Sequence, residues 1–262
     1  MSEAAKPEKV KRTLEKTIEL AASPEQVWNA LTDPKELVKW FPLEARVTPG
    51  VGGKFFISWG PDCEGETEII TWEPGKRIAY KDPFATVEFT IESRGGKTLL
   101  HLVQSGFFSG EAWENEWSES TDYGWGFILL SLRWSLERHA GADRQVRWPR
   151  LKVSLTREET YARLLRSGAL FASDLANLKA GDSFALKTAI GESWTGQVEF
   201  IKPLRGFCLS IHELNDALFW VTIEGSPESI EAQVWLAAFG IEQSKLDAFH
   251  QQWSQRLSQI LS

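Results

Sequence analysis

The chain has 262 residues, which is long for one domain and sufficient for two. Its hydrophobic content of 42% and charged content of 25% are typical of globular proteins and argue against long disordered stretches. The net charge of −7 disfavours a nucleic-acid binder, because such proteins usually carry a basic face. No apolar run is long enough to cross a bilayer, so we expect no membrane span.

The N-terminus and the cysteine content favour a cytoplasmic location. The first nine residues are charged and lack the apolar core of a signal peptide. The two cysteines, Cys63 and Cys208, are fewer than a secreted, disulfide-stapled fold would use, so both are expected to be free thiols. The thirteen tryptophans suit either an aromatic core or an aromatic cavity, and their number alone does not decide between the two.

In chain order, the first half opens with a tail at 1–12, followed by a strand and two short helices. Alternation of apolar and polar residues predicts the strand at 13–21. Ser23 followed by Pro24 is typical of a helix start, because serine caps the first turn and proline fits its first position. The Asp-Pro pair at 33–34 predicts the start of the second helix.

A run of strands and a long helix follow. Turns rich in proline, glycine and aspartate separate the strands, which we expect at 54–59, 65–72, 77–80, 86–91 and 98–104. The long helix is expected at 122–139, because apolar residues recur there at the spacing of one helix face. That stripe consists of Trp125, Leu129, Leu132 and Leu136.

Short motifs of this half occur in a defined order. They are ASPEQVWNALTDP at 22–34, WFP at 40–42, GGKF at 52–55, GE at 65–66, EPGKRI at 73–78, SGF at 105–107 and GW at 124–125. The ordered set resembles the activator of heat-shock protein 90 ATPase homologue-like (AHSA-type) domains of the START/SRPBCC superfamily, over about residues 13–140. The resemblance implies an α+β helix-grip (START/Bet v-like) fold, in which a curved antiparallel sheet surrounds a long C-terminal helix.

The resemblance also implies an elongated apolar cavity between the sheet and the helix. Its expected lining residues are Phe55, Ile57, Trp59, Tyr80, Val87, Phe89, His101, Val103, Phe107, Trp125 and Leu129. The same side chains would equally suit a filled core. Which face of each strand points inward is not determined by the sequence, because several strands are apolar on both faces.

The second half repeats the element order of the first at an offset near 130 residues, which is typical of a diverged second copy. The corresponding segments lie at 151–155, 158–164, 181–186, 196–201 and 221–224, and a final helix carries Leu246, Phe249, Trp253, Leu257 and Ile260. We therefore expect domains at 13–142 and 150–262, joined by a linker at 143–149. The second copy lacks the WFP and GW motifs, so we expect it to be mainly structural.

Three functions remain open. The leading hypothesis is non-enzymatic binding of an apolar or lipid-like small molecule in the first domain. The first alternative, implied by the resemblance, is a protein-interaction module that regulates a heat-shock chaperone ATPase; self-association is a further expected interaction. The second alternative is a cyclase- or hydratase-type enzyme with His101 or Tyr80 as acid or base. No metal or cofactor motif occurs, so neither group is expected.

Overall fold

The computed structural model describes residues 10–109, 112–226 and 228–262, and the chain divides into two compact units at Gly141 and Ala142. Each unit is an α+β helix-grip fold, in which an antiparallel sheet packs against one long helix. No helix in the described part of the chain is long and apolar enough to cross a membrane.

The sheet of the first unit has the order β1-β7-β6-β5-β4-β3-β2, and every neighbouring pair is antiparallel. Its strands are β1 (Val10–Leu20), β2 (Glu44–Val47), β3 (Lys54–Ser58), β4 (Glu64–Glu73), β5 (Arg77–Lys81), β6 (Thr86–Arg94) and β7 (Lys97–Ser109). The sequence pattern predicts all of them except β2, whose four residues are too few to show an alternation.

Three helices complete the first unit: α1 (Pro24–Thr32), α2 (Pro34–Leu37) and α3 (Ala112–Glu137). Helix α1 begins as expected, because the Ser23 side chain accepts a hydrogen bond from the Gln26 amide and the Gln26 side chain accepts one from the Ser23 amide. Helix α3 begins well before the expected residue 122, because its polar first turns do not continue the apolar stripe. It packs on β1, β7 and α1.

The second unit has the same topology with fewer elements. Its strands are β8 (Arg144–Arg147), β9 (Arg150–Val153), β10 (Ser183–Lys187), β11 (Ser193–Lys202), β12 (Gly206–Ile211), β13 (Ala217–Ser226) and β14 (Ser229–Phe239). Their order is β10-β11-β12-β13-β14, with both β8 and β9 paired to β14. Helix α4 (Arg157–Leu165) occupies the place of α1, and α5 (Gln243–Leu261) occupies the place of α3.

The segment expected as a linker at 143–149 is instead part of the second sheet. Strand β8 pairs with the end of β14 and β9 pairs with its beginning, so together they correspond to β1, interrupted at Trp148 and Pro149. An edge strand tolerates both polar side chains and a proline, so the sequence of this segment resembles that of a linker. The second domain therefore begins before residue 150.

Backbone irregularities recur in both units at the same place. The register between β4 and β5 shifts between Ile69 and Thr71, and the register between β11 and β12 shifts between Val198 and Phe200, 129 residues later in each case. The Ile91 amide donates to the Lys76 carbonyl at 2.7 Å, and the Ile223 amide donates to the Arg205 carbonyl at 2.8 Å. Such details are independent of side-chain pattern, and they support the second copy that the sequence suggests.

A bulge in β7 brings Phe107 onto the inner face of the first sheet. The register with β1 shifts between Arg12 and Thr13, so that Gln104 and Phe107 lie on the same side of the strand. Gly106 occupies the bulge with φ 108°, and a Cβ there would lie 2.1 Å from the Phe84 carbonyl oxygen. Only glycine fits without strain.

Replacing Gly106 with alanine should therefore destabilise the first unit. A left-handed non-glycine residue costs about 1–3 kcal/mol, and the contact with Phe84 adds to that cost. We expect a lower urea midpoint, followed by tryptophan fluorescence. Gly65→Ala is the matched control, since no atom lies within 4 Å of its added Cβ. Equal midpoints for the two variants would contradict this account of the bulge.

Candidate functional site

The first unit collects most of the expected lining residues on the sheet face that packs against α3. Phe55, Tyr80, Val87, Phe89, Phe107, Trp125 and Leu129 are buried in one cluster, and Ile57 and Trp59 pack against it. These side chains come from four strands, from the segment after β3 and from the middle of α3. Because strand residues alternate between the two faces, one consistent set points inward.

Two expected lining residues, His101 and Val103, lie on the opposite face of β7. Their neighbours Leu100 and Leu102 are the buried ones, each 1% exposed. The His101 Nδ1 lies 2.9 Å from the Thr17 hydroxyl, and its Nε2 lies 3.7 Å from a Glu92 carboxylate oxygen. This corrects the expectation for both residues, and it removes His101 as an acid or base inside the first unit.

Aromatic rings fill much of this interior by direct contact. Phe55 stacks on Tyr80 with ring centroids 4.4 Å apart. Phe41 lies between Trp40, at 5.2 Å, and Trp125, at 5.4 Å, and it also contacts Trp59 edge-on. Trp40 and Phe41 belong to the WFP motif, and the sequence did not identify them as interior contacts of the helix.

One row across the sheet carries two polar side chains of the interior, those of Tyr80 and Gln104. Tyr80 pairs with Val87, and Val87 pairs with Gln104, so the three are cross-strand neighbours on the inner face. They are 5%, 9% and 8% exposed, whereas Phe89 in the adjacent row is 2% exposed.

The indole nitrogen of Trp125 donates a hydrogen bond to the Gln104 side-chain oxygen at 2.5 Å. This bond connects α3 to β7 through two buried side chains. It also turns the Gln104 amide nitrogen, which is a donor, away from the indole. The sequence alone does not identify Gln104 as an interior residue. Once the inward face of β7 is known, its spacing of two residues from Leu102 and four from Leu100 places it on that face.

The hydroxyl of Tyr80 has no hydrogen-bond partner among the described residues. Burial raises the pKa of this phenol above its ordinary value, so it stays protonated near neutral pH. It is therefore a hydrogen-bond donor or acceptor rather than a base. Because it has no partner among these residues and lies in a largely apolar interior, it is a candidate ligand contact.

The sheet end nearest to Tyr80 carries exposed apolar side chains. Phe84 in the β5–β6 turn is 77% exposed, Trp113 at the start of α3 is 61% exposed, and Leu43 before β2 is 43% exposed. The antiparallel topology places all three at the same end. The turn is well fixed, because the Asp82 carboxylate accepts hydrogen bonds from the Phe84 and Ala85 amides at 2.7 and 2.8 Å.

The first unit also has a polar cleft of about 280 Å³ beside α1 and α2. Gln26, Asn29, Asp33 and Glu36 line it, and Lys39 forms an ion pair with Glu36 at 2.6 Å. It shares no residue with the expected apolar lining. In the described part of the chain, no group of three or more histidine, cysteine or acidic residues could hold a metal ion.

Residues 21–137 match the family model described as "Activator of Hsp90 ATPase homolog 1-like protein". Uncharacterized proteins of Mycobacterium tuberculosis and Mycobacterium bovis are 32% identical to this chain over 71 residues, which are 25% of this chain and 42% of each relative. This chain thus spans less than half the length of those relatives.

Three solved structures are similar to the chain. The Aha1 dimer from Colwellia psychrerythraea is 20% identical, with 50% of this chain and 99% of that chain covered and a TM-score of 0.44. A Mesorhizobium loti protein is 28% identical, with 48% and 98% covered and a TM-score of 0.43. DynU16, from the dynemicin biosynthetic locus, is 17% identical, with 94% and 96% covered and a TM-score of 0.43.

The family match coincides with the first unit and with its ordered motifs. The first unit is therefore an AHSA-type domain of the START/SRPBCC superfamily.

The hydrogen bond between Trp125 and Gln104 yields a direct test of the interior. In Gln104→Leu, the buried indole N–H has no acceptor, which should reduce the free energy of unfolding by about 1–3 kcal/mol. Urea unfolding measures this loss, and adding Trp125→Phe should recover part of it. His101→Gln is the matched control on the outer face of the same strand. A Gln104→Leu protein as stable as this control would show that the bond contributes nothing.

Proposed function

We propose that the first unit binds an apolar or lipid-like small molecule that carries one polar group, and that it catalyses no reaction on it. The polar row of Tyr80 and Gln104 is the observation that carries this proposal. Both side chains offer hydrogen-bonding atoms that the described residues leave unpaired, within an interior that is mainly aromatic and aliphatic. Ligand pockets commonly combine apolar walls with a few such polar groups.

The ligand would enter at the sheet end that carries Phe84, Trp113 and Leu43. Tyr80 is the second-last residue of β5 and Val87 is the second residue of β6, so the polar row begins just inside this end. Exposed apolar side chains there would contact the ligand as it leaves water. Because Phe41 and Trp125 are in contact, a bulky ligand must displace one of these rings.

A binding role suits the interior better than an enzymatic one. With His101 on the outer face, Tyr80 is the one of the two candidate acid or base residues that remains inside. Its raised pKa keeps it protonated, and the described residues give it no base to exchange a proton with. Recognition of a ligand oxygen requires only the hydroxyl in this state.

Tyr80→Phe should weaken binding without loss of fold. Loss of one neutral hydrogen bond corresponds to about a 2- to 12-fold increase in Kd. The test uses the full chain, a panel of fatty acids and polycyclic aromatic alcohols, and tryptophan fluorescence as the readout. Tyr161→Phe in the second unit is the matched control.

Two outcomes would count against the proposal. Unchanged binding by Tyr80→Phe would show that the Tyr80 hydroxyl does not contact the ligand. Equal losses of affinity in both tyrosine variants would show that the effect is not local to the first unit. If the full chain binds no member of the panel, and native mass spectrometry of the purified protein detects no carried molecule, small-molecule binding by the first unit is wrong.

Regulation of a heat-shock chaperone ATPase is the second candidate, and the description of the matching family favours it. The exposed Phe84 would supply apolar contact area in such a complex. The full chain should then raise the ATPase rate of an Hsp90-type chaperone, and Phe84→Ser should reduce this effect. Val51→Ser is the control, because Val51 is 71% exposed in the β2–β3 turn, at the other end of those two strands from Leu43. If the chain neither binds the chaperone nor changes its ATPase rate, this hypothesis is wrong.

A further inference from the structure

The second unit has a cleft of about 270 Å³ between the first turns of α5 and the sheet. Trp194, Leu236, Leu246 and Phe249 form its apolar part, and Glu213 and Lys245 lie among its polar residues. Trp194, Leu236, Leu246 and Phe249 are each at most 6% exposed, so the floor belongs to the core of the unit. Trp253, one turn further along α5, is not among the residues that line it.

Behind the floor lies Trp253, whose indole nitrogen is buried and has no hydrogen-bond partner. Its ring contacts Trp194, with centroids 5.7 Å apart, and Phe249, with centroids 5.8 Å apart. A buried N–H without an acceptor is costly and is rare in folded proteins. The orphan donor lies next to the two aromatic rings that line the cleft.

The internal repeat explains why this donor is unpaired. Trp253, Leu257 and Ile260 have the same spacing on α5 as Trp125, Leu129 and Leu132 have on α3, and each set lies in the core of its unit. Trp253 thus corresponds to Trp125, whose indole donates to Gln104.

The residue that corresponds to Gln104 is Leu236. Ile91 and Ile223 mark equivalent positions, because each amide donates to the carbonyl of the equivalent turn residue. Gln104 pairs with Val87, four residues before Ile91, and Leu236 pairs with Phe219, four residues before Ile223. The second unit therefore keeps the indole donor, replaces its acceptor with leucine, and opens a cleft at that leucine.

We propose that this cleft binds a flat aromatic molecule, uncharged or cationic, whose hydrogen-bond acceptor reaches the Trp253 N–H when the floor side chain Leu236 moves aside, and there takes the place of the missing glutamine oxygen. The aromatic floor suits a planar ring system, since Trp194 and Phe249 both present ring surface to the cleft. The proposal is independent of ligand binding by the first unit, and it reverses the expectation that the second unit is only structural.

The polar residues of the cleft favour such a ligand over an anion. Glu192 and Glu213 contribute two carboxylates against the single cation of Lys245. Thr195 fixes Glu213, with its amide 2.8 Å from one carboxylate oxygen and its hydroxyl 2.7 Å from the other. Burial acts to raise the pKa of Glu213, but the hydrogen bonds from Thr195 and the nearby His212 lower it overall, so the group is ionised near neutral pH.

The test uses the full chain and the neutral naphthyl ketone prodan, whose emission responds to hydrogen bonding at its carbonyl. Leu236→Gln supplies the acceptor within the chain, so it should raise the melting temperature and weaken prodan binding about tenfold. Trp253→Phe keeps an aromatic ring but removes the donor, so bound prodan should emit further to the blue. Ala248→Trp, on the exposed rim of the cleft, should abolish binding by filling it.

Gln251→Trp is the matched control, because Gln251 is exposed on α5 outside the cleft. The proposal is overturned if the wild-type chain does not bind prodan, or if Ala248→Trp and Gln251→Trp bind it equally. It is also overturned if bound prodan emits identically in Trp253→Phe and wild type. These outcomes do not depend on Tyr80, so they leave the proposed function of the first unit untouched.

Discussion

The alternation of side chains along β7 determines which groups meet inside the first unit. Leu100, Leu102 and Gln104 point toward α3, and the bulge at Gly106 returns Phe107 to the same side. Without that bulge, strict alternation would place Gln104 and Phe107 on opposite faces. The hydrogen bond from Trp125 to Gln104 and the ring contact between Phe107 and Trp117 both depend on this choice of face.

The sequence predicts the elements well because their signals are local. The capping residues at Ser23 and Gln26 and the apolar stripe of α3 require no knowledge of distant contacts. The face of β7 is different, because residues 98–104 carry apolar side chains on both sides and His101 fits either. Only pairing with β6 and packing under α3 select the inward set, so Gln104 was missed and His101 was misplaced. The same holds for β8, whose polar residues become a strand only through pairing with β14.

The two units show how a repeat retains backbone geometry while its interior diverges. The register shifts near Ile69 and Val198 and the turns at Lys76 and Arg205 are maintained by backbone hydrogen bonds, which tolerate many side chains. Interior positions lack this tolerance, since replacing one partner of a buried hydrogen bond leaves the other unsatisfied. The change from glutamine to leucine at the equivalent of Gln104 therefore has a chemical consequence that a change on the outer faces would not have.

That consequence sets different requirements for a ligand in each unit. In the first, a ligand can use the unpaired amide nitrogen of Gln104, but it must separate aromatic rings that already touch. In the second, the cleft is already present, but a ligand acceptor must displace the floor side chain Leu236 before it can pair with the buried Trp253 donor. Reorganisation reduces affinity, whereas a preformed site avoids that cost. Binding in the second unit would offset the movement of Leu236 with a new hydrogen bond to an unpaired indole, whereas the corresponding Trp125 indole of the first unit already has its acceptor.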